Sequence, residues 1–234
     1  MTSLKKIVAL TGAGISAESG ITTFRDSGGL WEQYDVMEVA SIDGWRKHPQ
    51  LMQRFYNERR KQLEEAKPND AHRILAGLEK DFDVTVVTQN VDNLHERAGS
   101  TKIIHLHGEL TKARSNTDPN LIIDIGYRPI EWGETAPDGS LLRPHIVWFG
   151  EAVPMIETAA HAVADANLLL IIGTSLNVYP AAGLIGYAGR NASIYLIDPN
   201  EVAYHGRHIT VIREKATVGM KKFRDSIIPQ FQNS

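Results

Sequence analysis

The residues best suited to chemistry lie in four short polar strings, each of which directly follows an apolar run that predicts a strand. In a doubly wound α/β fold the carboxyl ends of parallel strands line one crevice, so strings at those ends converge on one ligand. We therefore expect a single site that combines amide, carboxylate and imidazole groups. The strings are Thr88–Asp92, His105–Glu109, Gly173–Ser175 and Asp198–Asn200.

A fifth string, residues 12–31, reads GAGISAESGITTFRDSGGLW and follows the apolar run Lys6–Thr11. Gly12, Gly14 and Ala17 form a GxGxxA pattern, in which backbone N–H groups approach a pyrophosphate at a helix N-terminus. Alone the pattern is weak, because many glycine pairs only turn the chain. The acidic residue found about 20 positions later in dehydrogenases is replaced by a polar loop rich in glycine and aromatic residues. A plain dehydrogenase is therefore disfavoured.

The elements that must position these strings alternate between strands and helices, which predicts an α/β fold with a Rossmann-like, doubly wound parallel sheet. Two polar stretches break the alternation and predict a small inserted lobe, helical or similar to a zinc ribbon. We assign 1–40, 69–112 and 143–234 to the large lobe and 41–68 and 113–142 to the small one. The predicted strands are Ile7–Leu10, Val84–Thr88, Lys102–His105, Leu168–Ile172, Ser193–Ile197 and Arg207–Val211, and the predicted helices are His48–Ala66, Asp70–Lys80, Met155–Ala166 and Ala181–Gly189.

Length, charge and cysteine content exclude several classes of protein. The chain has 234 residues, 42% of them hydrophobic, which suffices for one well-buried core. Its net charge is −3 and it lacks a block of like charges, so nucleic-acid binding is disfavoured. No run reaches the roughly 18 apolar residues of a membrane helix, and we expect a cytoplasmic monomer. The chain has no cysteine, which excludes a thiolate nucleophile and cysteine-ligated metal.

Taken together, the strings resemble the sirtuins, a family of NAD-dependent protein lysine deacylases. The resemblance covers nearly the whole chain and is highly specific, because the motifs stand in the order that the family shows. These motifs are GAGISAESGI, TFR, QNVD, HLHGEL, VWFGE and GTSLNVYPA.

The resemblance assigns NAD, consumed as a co-substrate, to the glycine turns and the polar strings. Backbone amides suit its pyrophosphate because they donate hydrogen bonds to anionic oxygens. Asp92 would accept a hydrogen bond from the nicotinamide carboxamide, and Gln89 would bond a ribose hydroxyl. The residues expected at NAD are Gly12, Ala13, Gly14, Ser16, Ala17, Glu18, Phe24, Arg25, Trp31, Gln89, Asn90, Val91, Asp92, Gly173, Thr174, Ser175, Asn200 and Ala216.

The family's reaction implies three catalytic residues, His107, Asn90 and Asp92. The acyl-lysine carbonyl oxygen attacks the ribose carbon that bears nicotinamide, and a base then removes a ribose hydroxyl proton. His107 matches that base, because an imidazole with an ordinary pKa near 6.5 accepts a proton at working pH. The alternative for His107 is a core histidine whose ring is hydrogen-bonded to the backbone. We expect His105, two residues earlier, to be structural.

Two further segments match those between which sirtuins bind an extended acyl-lysine peptide by strand addition. They contribute Val147, Trp148, Phe149, Gly150, Val178 and Tyr179, although Trp148 and Phe149 are also typical of an ordinary core.

Tyr56 and Arg59 are three residues apart on the predicted polar helix and point the same way. An arginine fork beside a phenol suits a carboxylate, and in the family this pair marks the branch that removes succinyl and malonyl groups. A solvated helix face is the alternative, because Glu58, Arg60 and Lys61 are neighbours.

The chain departs from the family in one respect. Sirtuins usually hold a structural zinc with four cysteines, whereas Arg114–Leu142 has neither cysteine nor histidine. Zinc structural sites prefer sulfur and nitrogen ligands, so we predict a metal-free lobe. Its carboxylates are Asp118, Asp124, Glu131, Glu134 and Asp138, and its candidate core residues are Leu121, Ile122, Ile123, Ile125, Tyr127 and Trp132.

Two other functions stay open. A protein ADP-ribosyltransferase or NAD glycohydrolase would use the same NAD site with another acceptor, but would have no use for an acyl pocket. A non-catalytic module that binds NAD or ADP-ribose is conceivable if the metal-free lobe is misaligned, although Asn90, Asp92 and His107 argue against it.

Overall fold

The computed structural model describes residues 4–21, 34–202 and 208–233. It contains a large parallel sheet and a small antiparallel one. The strands are β1 Lys6–Thr11, β2 Asp83–Thr88, β3 Ile103–His105, β4 Gly108–Ser115, β5 Ile122–Asp124, β6 Leu142–Ile146, β7 Leu168–Ile172, β8 Ser193–Ile197 and β9 Thr210–Ile212. The α-helices are α1 Gly14–Ala17, α2 Val36–Val39, α3 Ile42–Lys47, α4 Pro49–Glu65, α5 Asp70–Gly77, α6 Leu94–Ala98, α7 Ile156–Ala164, α8 Ala216–Lys222 and α9 Ile228–Asn233.

The large sheet has the strand order β3-β2-β1-β7-β8-β9, and all its pairs are parallel. Its central strands are aliphatic because both faces are covered. Every residue of β7 is 0% exposed. Residues of α7 and of the 3₁₀ helix Ala181–Tyr187 pack on one face, and residues of α5 and α8 pack on the other. The predicted doubly wound sheet is confirmed.

Local signals explain where the helix before β2 begins and ends. Asn69 is the N-cap of α5, and its side chain accepts a hydrogen bond from the Ala71 N–H. A short 3₁₀ helix, Leu78–Lys80, continues the predicted helix to its expected end. The last strand begins at Thr210, and residue 207, where we predicted its start, lies outside the described residues.

The small sheet has the order β5-β4-β6 and is antiparallel. This sheet was not predicted, because β4 alternates buried and partly exposed residues and carries charged side chains. The predicted boundary between the large and small lobes, after residue 112, falls inside β4. The division into lobes stays a prediction. Behind this sheet, α4 contacts the chain at Ile130 through the side chains of Gln53 and Asn57.

The core of the small sheet differs from the one we predicted. Ile125 is buried and Leu121 and Ile123 are partly buried there, as expected. Ile122 and Trp132 are 44% and 50% exposed, so their assignment to a core was wrong, and Tyr127 packs instead with the cluster around α4. The composition of an irregular loop does not indicate which of its apolar side chains face the core. The buried members of this core are Ala113, Ile125, Ile130, Ala136 and Leu142.

Within the described ranges, no helix is both long enough and apolar enough to cross a bilayer.

Candidate active site

The polar strings converge because the hydrogen bonding of the large sheet continues past the ends of its strands. The Gly12 N–H donates to Ile172 O at 3.0 Å, and the Gln89 N–H donates to Thr11 O at 2.9 Å. The Gly173 N–H donates to Ile197 O at 2.9 Å. Each string thus begins as one more rung of the parallel ladder, and the strings meet beside the point where the strand order reverses.

The glycines of the two turns let the turns pack against each other. The Gly14 N–H donates to Gly173 O at 2.9 Å, and a Cβ at Gly14 would lie 2.6 Å from the Gly173 Cα. A Cβ at Gly12 would lie 2.7 Å from Gly173 O. Gly173 also has a φ of +62°, which side-chain-bearing residues rarely adopt. The amides of Gly12 and Gly14 are therefore engaged within the protein, and these glycines shape the site by close approach.

Asn90 and Asp92 lie in a buried hydrogen-bonded cluster with Ser16. The Asn90 amide donates to Gly12 O at 3.1 Å and to Ser16 Oγ at 3.2 Å. The Ser16 hydroxyl donates to Asp92 Oδ2 at 2.9 Å, and the Leu94 N–H donates to Asp92 Oδ1 at 3.1 Å. Burial raises the pKa of Asp92, although both hydrogen bonds oppose that rise. The cluster orients a desolvated carboxyl group that can accept a further donor.

His107 has the geometry of a base. Its Nδ1 lies 2.9 Å from Gln89 O, so the proton on Nδ1 donates to that carbonyl and Nε2 carries the lone pair. Burial lowers the pKa of His107, and the hydrogen bond to Gln89 O only partly offsets this effect. The imidazole is therefore neutral near pH 7 and able to accept a proton.

His105 is held differently from its neighbour two residues on. Its Nε2 lies 2.6 Å from Glu96 Oε1 and 3.9 Å from Glu109 Oε1. Burial alone would lower the pKa of His105, but the hydrogen bond and charge of Glu96 raise it. These three residues are the one group in the described part of the chain whose side chains could together hold a metal ion. The short contact with Glu96 favours a proton on His105 Nε2 that donates to the carboxylate, and Lys112 pairs with Glu109.

Tyr56 and Arg59 are not on a solvated helix face. Tyr56 is 2% exposed, and Arg59 lies with Asp92 in the lining of one small cavity, together with Ile21 and Leu110. Burial raises the pKa of Tyr56 to about 12, while the charge of Arg59 lowers it, so the phenol stays protonated beside the guanidinium. The neighbouring Arg60 is also buried, and its Nε donates to Leu110 O at 2.6 Å.

The predicted peptide segments lie at the edge of this region. The Val147 N–H donates to His107 O at 2.9 Å, which links the first segment to the base. Trp148 is 2% exposed and Phe149 is 44% exposed, so one is core and the other faces outward. In the second segment, the Val178 carbonyl accepts from Ala182 N and Tyr179 is 76% exposed. Gly150 has a φ of +88° at the end of the first segment.

The other residues expected at NAD differ in burial and in hydrogen-bond partners. The Glu18 carboxylate accepts from the N–H and hydroxyl of Thr217, each at 2.9 Å, and so caps α8 beside the buried Ala216. The Gln89 amide donates to Thr174 Oγ1 at 3.1 Å. Phe24, Arg25 and Trp31 lie outside the described residues. Ala13, Ser175 and Val91 are partly buried in their turns, and Ala17 and Asn200 are exposed.

Two buried histidines beneath the site were not predicted. His72 Nε2 lies 3.4 Å from Ser16 Oγ, and His95 Nε2 lies 3.1 Å from Thr11 Oγ1. Burial lowers the pKa of His72 to about 4 and that of His95 well below its ordinary value. The available signal was the spacing of Asn69 and His72, which form a capping box at the start of α5.

Comparisons with known proteins agree with this geometry. The model of the Sir2 family matches residues 12–180. An NAD-dependent protein deacylase from Bacteroides thetaiotaomicron is 57% identical over 97% of this chain and 99% of its own length. Another from Helicobacter pylori (strain 26695) is 54% identical over 96% of this chain and 98% of its own.

Solved structures give the same result. A mutant Sir2 homologue in complex with ADP-ribose has a TM-score of 0.87 and 36% identity, and the match covers 99% of this chain and 95% of that one. A Sir2 homologue in complex with NAD has a TM-score of 0.85 and 37% identity, covering 97% and 91%. This chain belongs to the Sir2 family.

Proposed function

We propose that this protein is an NAD-dependent protein lysine deacylase that removes succinyl and malonyl groups in preference to acetyl. Its family and its relatives of 57% and 54% identity support the deacylase activity. The observation that carries the acyl preference is the burial of Tyr56 beside Arg59, which lines the same small cavity as Asp92. A positive charge with an adjoining phenol at that depth suits an acidic acyl chain.

The residues present fit NAD. Asp92 is a buried carboxyl group oriented by Ser16 and by the Leu94 N–H, and its desolvated oxygens suit a ligand that donates a hydrogen bond, as a carboxamide does. Gln89 and Thr174 bring polar groups from two different strand ends to the same crevice. When bound, NAD supplies an electrophilic ribose carbon and nicotinamide as the leaving group.

The role of His107 follows from its hydrogen bond. Gln89 O fixes the tautomer, so Nε2 takes the proton of a ribose hydroxyl, and the neutral imidazole needs no prior deprotonation near pH 7. Asn90 holds the turn at Gly12 and, through Ser16, the orientation of Asp92. The acyl group is transferred to ADP-ribose with the consumption of one water molecule, which releases the lysine amine, so the products are lysine, nicotinamide and O-acyl-ADP-ribose.

Arg59 is expected to pair with the distal carboxylate of the acyl chain, with Tyr56 donating a second hydrogen bond. An acetyl group has no such carboxylate and leaves Arg59 without that ligand. The burial of Tyr56 and the position of Arg59 in the cavity with Asp92 argue against a transferase or hydrolase of NAD that uses no acyl-lysine, because such an enzyme would gain nothing from this pair.

The test compares acetyl-, malonyl- and succinyl-lysine peptides of one sequence, with peptide mass and nicotinamide release followed together. We expect the wild type to have the higher kcat/KM for succinyl-lysine. Arg59→Met should lower that value by about tenfold to a hundredfold, because it removes a charge-assisted hydrogen bond, and should change the acetyl value much less.

Arg54→Met is the matched control, since Arg54 is an exposed arginine on the same helix. Equal turnover of acetyl and succinyl peptides by the wild type would refute the acyl preference. Nicotinamide release without deacylation would instead favour the ADP-ribosyltransferase or glycohydrolase function, and no consumption of NAD would favour a binding module.

A further inference from the structure

One buried hydrogen bond joins the two regions that we expect to bind the substrate. The Trp148 indole N–H donates to the Tyr56 hydroxyl oxygen at 2.9 Å, and each side chain is 2% exposed. Trp148 follows β6 in the predicted peptide segment, whereas Tyr56 lies on α4 beside Arg59. The two residues are 92 positions apart in the chain, so only the fold brings them together.

This bond determines what the Tyr56 hydroxyl can do. An indole N–H is only a donor, so the phenolic oxygen is the acceptor and its own proton must point elsewhere. Across residues 4–21, 34–202 and 208–233, no acceptor for that proton is found. A buried hydroxyl proton without an acceptor costs free energy, which a ligand that brings an acceptor recovers.

The surroundings keep the hydroxyl in its protonated form. Burial raises the pKa of Tyr56 to about 12, so the phenol is a donor throughout the working range of pH. Arg59 lies three residues further along α4, so its side chain extends from the same face of the helix as Tyr56, and a guanidinium and a hydroxyl on one face suit one carboxylate.

The indole itself is held firmly. The Arg143 guanidinium carbon lies 3.5 Å from the centroid of the Trp148 ring, and Arg143 makes two hydrogen bonds to Glu151 at 2.9 and 3.0 Å. The Trp148 backbone N–H donates to the same carboxylate at 2.9 Å. Trp45 packs against the Trp148 ring with centroids 5.1 Å apart. These contacts fix the direction in which the indole N–H points.

We propose that Trp148 is a positioning residue for acyl selectivity: its indole N–H occupies the acceptor side of the Tyr56 hydroxyl and so directs the hydroxyl proton toward the carboxylate of an acidic acyl chain. The inference rests on the proposed preference for acidic acyl groups. It adds that part of this selectivity originates in the peptide segment, through a residue that need not contact the acyl group.

The test uses Trp148→Phe, which removes the indole donor and keeps an aromatic ring. Trp45→Phe is the matched control, because Trp45 belongs to the same cluster, is 5% exposed and donates its indole N–H to Asn116 Oδ1 at 2.8 Å instead. The measured quantity is the ratio of kcat/KM for succinyl-lysine to that for acetyl-lysine. A general effect on the peptide or NAD site lowers both values and leaves the ratio unchanged.

We expect Trp148→Phe to lower this ratio by about fivefold to tenfold, through KM for the succinyl peptide, and Trp45→Phe to leave it unchanged. Tyr56→Phe should lower the ratio too, and the double variant Tyr56→Phe/Trp148→Phe should lower it no further, because Trp148 acts through the Tyr56 hydroxyl.

Two results overturn the inference, and they are distinguishable. A wild type that prefers succinyl-lysine, with an unchanged ratio in Trp148→Phe or additive effects in the double variant, refutes the role of Trp148 alone. A wild type without that preference refutes the proposed acyl specificity and this inference with it. Melting temperatures of all variants establish that each is folded.

Discussion

The two sheets of this protein are stabilised differently, and they support different parts of the site. The large sheet is held by aliphatic strands such as β7, of which no residue is exposed. The small sheet has a core of five buried residues and a polar cluster in which Asp138 accepts hydrogen bonds from the hydroxyls of Ser115, Thr117 and Ser140. The reactive groups follow strands of the large sheet, whereas Tyr56 and Arg59 lie on α4, which packs with the small one.

This difference separates chemistry from selectivity. The base and the described residues that follow the strand ends, such as Gln89 and Gly173, inherit their positions from the register of the large sheet, which leaves little freedom. The helix α4 belongs to neither sheet, and it is held by its buried side chains and by contacts to the loop around Ile130 and to Leu110 O. Changes at the large sheet should therefore affect all substrates alike, and changes at α4 should affect acyl groups unequally.

The largest effect should come from the base. His107→Ala should lower deacylation of every acyl peptide by on the order of a thousandfold, because the ribose hydroxyl proton loses its acceptor. Steady-state kinetics with acetyl and succinyl peptides measures this. In the pH profile of the wild type, kcat/KM should fall toward acid pH with an apparent pKa below 6.5. The reason is that burial lowers the pKa of His107 and only the neutral ring accepts a proton.

The control for this variant is His105→Gln, which should lose less than about tenfold because His105 is paired with Glu96. If His105→Gln were as inactive as His107→Ala, or if the loss in His107→Ala depended on the acyl group, the separation of chemistry from selectivity would be wrong.

Replacing one core residue of each sheet by alanine should show which core contributes more to the free energy of unfolding. Leu170→Ala, at 0% exposure in β7, should lower the free energy of unfolding by about 4 kcal/mol, and Ile130→Ala, at 1% exposure, by about 2 kcal/mol. The second value is smaller because the small core has fewer neighbours and relaxes more easily. Denaturant titration measures both, and an Ile130→Ala loss as large as that of Leu170→Ala would show that the sheets are not held differently.

The smallest expected effect is that of metal removal. Because Arg114–Leu142 has no cysteine or histidine, chelator treatment should leave both activity and melting temperature unchanged, and purified protein should contain far less than one zinc per chain. Elemental analysis with activity assays before and after EDTA tests this. Stoichiometric zinc, or activity that chelation removes and zinc restores, would contradict the prediction of a metal-free lobe.

The large sheet could be predicted because its strands are continuous apolar runs with polar strings at one end. The convergence of these strings follows from topology alone, and the positions of Gln89, Asp92 and Gly173 agree with it. The small sheet could not be predicted, since β4 carries a glutamate, a lysine and an arginine on its less buried side. The hydrogen bond of Trp148 to Tyr56 joins distant parts of the chain, which no local spacing indicates.

Two expectations about local roles changed for physical reasons. We expected the N–H groups of Gly12 and Gly14 to face a pyrophosphate, but they donate to Ile172 O and Gly173 O, because the two turns are close enough to bond each other. We expected Glu18 at NAD, and its carboxylate caps α8 through Thr217. Its role at NAD stays a prediction, although both of its oxygens have protein donors.

The extra rungs at Gly12, Gln89 and Gly173 have a consequence for how such an enzyme can diversify. Since each loop starts as a bonded continuation of its strand, inserting or deleting a residue there would shift every group that follows it. The side chains of these loops can change, but their lengths cannot. New acyl specificities are therefore more accessible through α4, which is a strand of neither sheet.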